Sequence, residues 1–426
     1  MVIGRGAVQM PVEMHERAVE TVAGAPISFV HTVNLSGMAR QTRGQLRDGT
    51  LHVTTTAGGR TETKTLPWPD GALLAEGQRL ATQGRKLRTG QTFTLKAFDT
   101  DGLQVRRQRA RVGTKEPVDL LGRVIELRRI DLNVAGGGGG LDAVVYVDDD
   151  GEELLMTSAV MGMTLRLVAC SREVARSENQ PVDFYDRLLV AAPAPLENVR
   201  SARAITYTLA PRKPGTKLDL PASDSQTVRP AGDGAVTLTV RPAEPAQADT
   251  RPYTGDDEAA RAALAPSRYV ESEDERIVQL AREAVGDTRD AAAAARKLEA
   301  FARRYIRKKT LEVGYASAAE VARSKAGDCS EHAVFLAALC RAAGIPARVA
   351  NGLAYARQFG GREHVFVPHA WVQAHVGGRW IGLDAALGTH TAGHILLGTG
   401  DGDPDSFFAI CKRLGTFKIT DVRVER

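Results

Sequence analysis

The apolar residues change their period once along this chain, and that change limits the fold more than any other feature. Up to about Pro211 they come in short runs rich in Val, Thr and Leu, such as "TLHVTTT", "QTFTLKAF", "DAVVYV" and "MTLRLVAC", divided by Gly and Asp turn signals. Such runs read as β-strands, and "VYVDDDGEELLM" reads as a hairpin turning at Asp150-Gly151. The glycine run Gly136 to Gly140 marks a loop, because it has no side chains to pack. From Ser272 the spacing is helical. A capping-box pattern at Ser272 to Glu275 is followed by Ile277, Leu280, Ala281 and Ala284 on one face. "DAAAAARKLEAFARRYI" repeats that spacing through Ala291, Ala294, Ala295, Leu298, Phe301, Ala302 and Tyr305, and "SAAE" at Ser317 gives a second box. Between the two regimes, Lys213 to Gly255 is rich in Pro, Gly, Ser and Asp around one strand pattern, "AVTLTVRP". The expected class is therefore α+β. A β-rich domain covers 1–212, a linker with one or two strands covers 213–255, and a mixed domain covers 256–426.

At 426 residues the chain is long enough for two or three cores. No stretch approaches the roughly 18 consecutive apolar residues that cross a bilayer. The opening "MVIGRGAVQMPVEMHERAVETV" has no apolar run that would serve as a leader. The expected location is the cytoplasm, or the periplasm or cell envelope if a leader was removed. The net charge of +5 is concentrated in "RKLR" (Arg85 to Arg88) and "RRQRAR" (Arg106 to Arg111). With little aromatic interleaving and no zinc-finger or helix-turn-helix pattern, these runs read as solvated strand faces rather than a nucleic-acid surface. Oligomeric state is not legible.

Four cysteines, Cys170, Cys329, Cys340 and Cys411, lie far apart with no C-x-x-C spacing, which excludes the usual zinc patterns. On one helix, Cys329 and Cys340 stand roughly 16 Å apart, beyond the roughly 7 Å Cα separation that a disulfide spans.

Cys329 occupies the most informative position. In "KAGDCSEHAVFLAALCRAAGIPAR", Asp328 is suited to cap a helix, with Glu331 at its third position, and Gly344-Ile345-Pro346 supplies the stop. Ala333, Leu336, Ala337 and Cys340 form the stripe expected to be buried. Cys329 is then the first helical residue, where unpaired N–H groups and the macrodipole favour a thiolate. The same amides can donate to an oxyanion. A small apolar filler fits the position as well.

A base lies downstream. "VPHAWVQAHVGGRWIGLDAAL" reads as two strands joined at Gly377-Gly378. With Val376 opposite Arg379, Trp371 faces Asp384 and His369 faces Ala386, so His369, Trp371 and Asp384 share one face. His369 and Asp384 are diagonal neighbours, roughly 7–8 Å apart at Cα. Taken singly, His369 also fits a satisfied sheet histidine and Asp384 a strand-end carboxylate. Their shared face makes them a pair, with Asp384 to orient His369 and His369 to take the Cys329 proton.

In order and content, "GDCSEHAVFLAALCRAAGIPAR" and "HAWVQAHVGGRWIGLD" resemble the transglutaminase-like core of the papain-like thiol enzymes over roughly Ser317 to Gly398. "HTAGHILLGTGDGD" resembles the stretch after the aspartate in bacterial members, which often carry an N-terminal β domain and are exported. The resemblance implies a Cys329–His369–Asp384 triad acting through a thioester on glutamine side-chain or peptide amides of a protein or peptide substrate. Hydrolysis and transamidation both stay open, and no cofactor is implied. His332, one turn from Cys329, either lines the cleft or faces solvent. Trp371 either walls a groove or packs, and Tyr315 is a candidate second oxyanion donor. His364, His390 and His394 include no H-E-x-x-H pattern, so no metal is assigned. The alternative from another class is a non-catalytic envelope-binding or assembly protein that uses the same fold as a scaffold.

Overall fold

A computed structural model describes the chain apart from residues 1, 6–7, 36–37, 58–59, 135–140, 161–162, 178–181, 184–187, 310–315, 404–409 and 411–412. Tyr315, Cys411 and the glycine run thus lie outside the described residues. The chain forms two compact units, one built on Met10–Val182 and the other on Asp183–Arg426.

The first unit holds two antiparallel meanders. One runs through Val8–Glu20, Pro26–Leu35, Met38–Arg47, Thr50–Ala57 and Arg60–Pro67, each strand paired to the next. The other runs from Thr92–Asp99 through Gln104–Leu120, Arg123–Val134, Leu141–Val147 and Glu153–Val160 to Met163–Val168. Alternation decides the buried face. In Thr92–Asp99, Phe93, Leu95 and Ala97 are buried while Thr92 and Thr94 are exposed. Phe29, Leu51 and Val53 of one meander share a core cluster with Phe98 of the other. Arg107, Arg109 and Arg111 are exposed around the buried Ala110 on Gln104–Leu120, the solvated strand face the sequence implies. The Asp150-Gly151 turn forms too: Asp148 accepts the Asp150 and Glu152 N–H groups at 3.0 and 2.9 Å.

In the second unit, helices pack on one sheet while a second sheet supports its far side. The main sheet runs in the order Val190–Ala191, Arg362–Val376, Ala347–Phe359, His394–Gly400, with Arg379–Leu383 paired to the other end of Arg362–Val376. The helices Glu275–Val285, Ala291–Tyr305 and Ala318–Ser324 surround Cys329–Ala342. Two of the expected N-caps form as read, at Ser317 and Asp328, and Asp290 caps the alanine-rich helix. The third expected one does not: Asp274, not Ser272, caps Glu275–Val285. An aspartate adjacent to the helix meets the first-turn amides directly.

The expected boundaries require correction. Residues 183–212 belong to the second unit. There Ala204–Pro211 is an inner strand of a sheet ordered Gln226–Gly232, Ala235–Val240, Ala204–Pro211, Phe417–Glu425. Nor is 213–255 a linker, because it supplies two of those strands. Gln226 brackets Leu396, accepting its N–H at 2.8 Å and donating to its carbonyl at 2.9 Å. Tyr253 N–H bonds to the Gly344 carbonyl at 2.8 Å. Pro230 disguises the first strand, yet proline is tolerated on an edge strand, where that residue sits. Among the described residues no helix is long and apolar enough to cross a membrane.

Candidate active site

Cys329 opens its helix behind a complete capping box. Asp328 accepts the Ser330 N–H at 2.9 Å and the Glu331 N–H, and Glu331 accepts the Asp328 N–H at 2.9 Å. Glu331 also accepts the Ala316 N–H at 3.0 Å, which ties the preceding segment to the helix mouth. Gly327 has φ +152, and a Cβ there would run into the Glu331 side chain, so only glycine fits before the cap. The helix is buried on all sides from Glu331 to Arg341, not along one stripe. A helix that is apolar all round is a central one.

The hairpin forms in the expected register, with Val376 opposite Arg379 and pairing that extends to Val372 and Leu383. Just beyond it, His369 Nε2 lies 2.8 Å from Asp384 Oδ2. Both side chains are buried. Asp384 Oδ1 accepts the Ala386 and Leu387 N–H groups, each at 2.9 Å, so the carboxylate also caps the turn that follows. The Asp384 N–H donates to Glu299 Oε1 at 2.6 Å. Because Nε2 is committed to Asp384, the side-chain bond between His369 and Cys329 falls to Nδ1.

The electrostatics follow from that chain of contacts. Burial opposes charge on His369, but the charge and hydrogen bond of Asp384 override it, with Cys329 adding, and its pKa is pushed up to about 10. Asp384 is held well below the usual carboxylate range: burial works against this, and His369 and His394 outweigh it. Burial pushes the Cys329 thiol up and Asp328 adds to the shift, while His369 and the Ala370 N–H pull the other way. The thiol thus lies above its ordinary value rather than below it, and burial is the largest contribution. Asp384 makes His369 a base strong enough to take a proton that burial holds on sulfur.

Residues 278–385 match the family model of the transglutaminase-like superfamily. The chain carries a transglutaminase-like domain. The matched stretch contains Cys329, His369 and Asp384. No curated protein matches the chain. Among solved structures, it is similar to a candidate cysteine protease from Cytophaga hutchinsonii, at 20% identity over 52% of this chain and 88% of that one, TM-score 0.35. The periplasmic domain of TgpA from Pseudomonas aeruginosa, bound to ethylmercury, matches at 17% identity over 47% of this chain and 89% of that one, TM-score 0.30. A candidate protease from Parabacteroides distasonis matches at 12% identity over 84% of this chain and 69% of that one, TM-score 0.23.

Other side chains of the transglutaminase-like domain settle as follows. Trp371 is 2% exposed and packs among the rings of His369, His390 and His394, with centroids at 6.3, 5.8 and 5.3 Å. Of the two readings of Trp371, the packed one is observed. His332 is buried, not on an exposed helix face, and its Nδ1 lies 2.6 Å from the Asp328 carbonyl. Burial lowers its pKa, and its Nε2 has no partner among the described residues. His364 is apart from this group, bonded to the Tyr355 hydroxyl at 2.7 Å.

Two residues of the site went unread in the sequence. Glu299 is buried although it lies off the apolar face of its helix, and its i,i+3 partner Arg296, at 3.2 Å, makes it resemble a surface ion pair. In the sequence His394 suggests at most a metal ligand, yet its Nε2 lies 2.9 Å from Asp384 Oδ2. Donor atoms of His369, Asp384 and His394 all lie within 4.8 Å of one another, a set chemically able to hold a divalent ion. Here each of those atoms is already used in a hydrogen bond within the group.

Proposed function

We propose that the protein is a thiol acyl-transfer enzyme acting on glutamine side-chain or peptide amides of a protein or peptide substrate. The observation that carries this reading is the buried His369–Asp384 hydrogen bond, with Cys329 on the other side of the imidazole and at the mouth of a helix. His369 takes the thiol proton as Cys329 Sγ attacks the amide carbon. The tetrahedral intermediate collapses to a thioester, and the departing ammonia or amine takes its proton from His369. Water or an amine then attacks the thioester, regenerating the thiol. Asp384 keeps the imidazole oriented and stabilises it while charged. Asp328 occupies the Ser330 and Glu331 amides. The Cys329 N–H is therefore the amide of that turn we assign to the oxyanion.

Cys329→Ala tests the reading. Alanine suits the first helical position, so circular dichroism should not change, while release of ammonia from an N-protected glutamine peptide and cleavage of peptide amides should both be lost. Adding a primary amine separates hydrolysis from transamidation. Turnover retained within about tenfold of the parent would leave the fold as a binding scaffold.

A further inference from the structure

Asp384 Oδ2 serves two imidazoles, and only one of them reaches the thiol. His369 Nε2 is 2.8 Å from this oxygen and His394 Nε2 is 2.9 Å from it. All three side chains are buried, at 6%, 1% and 3% residue exposure for His369, Asp384 and His394. Thr391 holds the other ring nitrogen of His394. The Thr391 backbone N–H and hydroxyl each lie 3.1 Å from Nδ1, and the Thr391 carbonyl lies 3.2 Å from it. A carboxylate oxygen only accepts, so His394 Nε2 carries a hydrogen and donates to Asp384 Oδ2.

The consequence is a carboxylate pinned at both oxygens. Ala386 and Leu387 hold Oδ1 through backbone amides, while His369 and His394 share Oδ2. His394 begins the strand His394–Gly400, which pairs with Ala347–Phe359 and places His394 opposite Ala354. The brace is thus anchored in the sheet, independently of the turn that carries Asp384. With Nε2 of His394 removed, the two amides still fix one oxygen, but among the described residues His369 alone then bonds the second. A carboxylate free to tilt there holds His369 less firmly against Cys329.

We propose that His394 is a positioning residue of the thiol site, locking Asp384 in the orientation that keeps His369 on Cys329. This rests on the acyl-transfer reading of the same site. His394 acts only through Asp384, so its effect belongs in kcat and in thiol reactivity rather than in substrate binding.

The test uses the full chain with two variants that divide the properties of the side chain. His394→Phe keeps a ring among Trp371, His390 and His369 but has no donor, whereas His394→Gln keeps a donor near the Nε2 position. Three quantities are read: the rate of Cys329 alkylation by iodoacetamide, mapped by mass spectrometry; kcat and KM on a peptide amide; and the melting temperature. His369→Ala serves as the reference for a thiol without its base. His394→Phe should lower kcat about 10- to 100-fold, as loss of an outer orienting partner does, with KM little changed, and should slow alkylation toward the His369→Ala rate. His394→Gln should recover most of both. If His394→Phe does not fold, His394→Met against His394→Gln makes the same comparison at matched volume. Equal alkylation and kcat in the donor and non-donor variants, with the parent still faster than His369→Ala, would overturn the role of His394 and leave the triad standing. A parent no faster than His369→Ala would overturn the reading of the site, and this inference with it.

Discussion

Two strands show how differently the halves of this molecule are built. Thr50–Ala57 in the first unit buries Leu51 and Val53 and leaves His52 and Thr56 exposed. Arg362–Val376 in the second is buried at every position from Val365 to Val376. The first is a surface with one wet face, so polar side chains there need no partner. The second lies under helices on one face and against further structure on the other, so each polar side chain within it has to be accounted for. Gln373 accepts from Arg348 at 3.0 Å and His369 is held by Asp384, while Trp371 Nε1 and His375 Nδ1 have no hydrogen-bond partner among the described residues. Burying titratable groups on a strand is costly, and in this molecule it is concentrated around the thiol.

The contrast predicts all-or-none behaviour for fragments. Residues 183–426 should fold, and Cys329 should be labelled there as in the full chain. Residues 256–426 should be insoluble, because Phe417–Glu425 would lose Ala204–Pro211 and Leu396 would lose Gln226. Expression, melting and labelling of both fragments check this, and a soluble, labelled 256–426 would show that the smaller sheet is dispensable.

Next in size, Asp384→Asn should lower kcat about 10²- to 10⁴-fold, as removal of a triad's orienting carboxylate does, with KM changed little. The readout is steady-state turnover of a peptide amide. An unchanged rate beside an inactive His369→Ala would assign the orienting role elsewhere.

Packing should divide the halves more gently. At Gly352 an added Cβ would collide with the Ile395 carbonyl and lie 2.9 Å from the Trp371 ring. Gly352→Ala should destabilise the second unit by about 1–3 kcal/mol, the range for overpacking a core. Thr56→Val, on an exposed strand position of the first unit, should stay within about 0.5 kcal/mol. Denaturant melts followed unit by unit distinguish the two.

A further effect is on the pH dependence of stability. The folded state raises His369 from an unfolded value of roughly 6.5 to about 10. Protonation therefore favours folding, fully below the unfolded value, and the contribution fades as pH rises and is gone above the folded one. Asp384 carries most of that rise, so the stability gap between the parent and Asp384→Asn should narrow across the same window. Melts at several pH values measure it, and a gap that widens toward pH 10 would contradict the assignment.

Legibility followed the same division. The alternating strands of the first unit, the capping boxes at Ser317 and Asp328 and the Gly377-Gly378 hairpin are local patterns, and each leaves its own trace in the residues that form it. The His369–Asp384 pair was readable because a two-residue turn fixes the register of its flanking strands. The partners of Asp384 were not, since Glu299 and His394 reach it from a helix and another strand, and no spacing along the chain encodes that meeting. The strand at Gln226–Gly232 was hidden by Pro230, whose meaning depends on whether its neighbour lies on one side or two. The helix terminus at Cys329 is a local feature that the sequence displays, whereas the burial that raises its thiol is not.

The central claim is that Cys329 is an acyl-accepting nucleophile driven by His369. The full chain would be incubated briefly with p-nitrophenyl acetate, quenched in acid, and the acetyl group mapped by mass spectrometry. An acetyl thioester on Cys329 that disappears in Cys329→Ala and is strongly reduced in His369→Ala is the result predicted here. Acetylation spread over surface lysines with Cys329 unmodified, or equal labelling with and without His369, would contradict it.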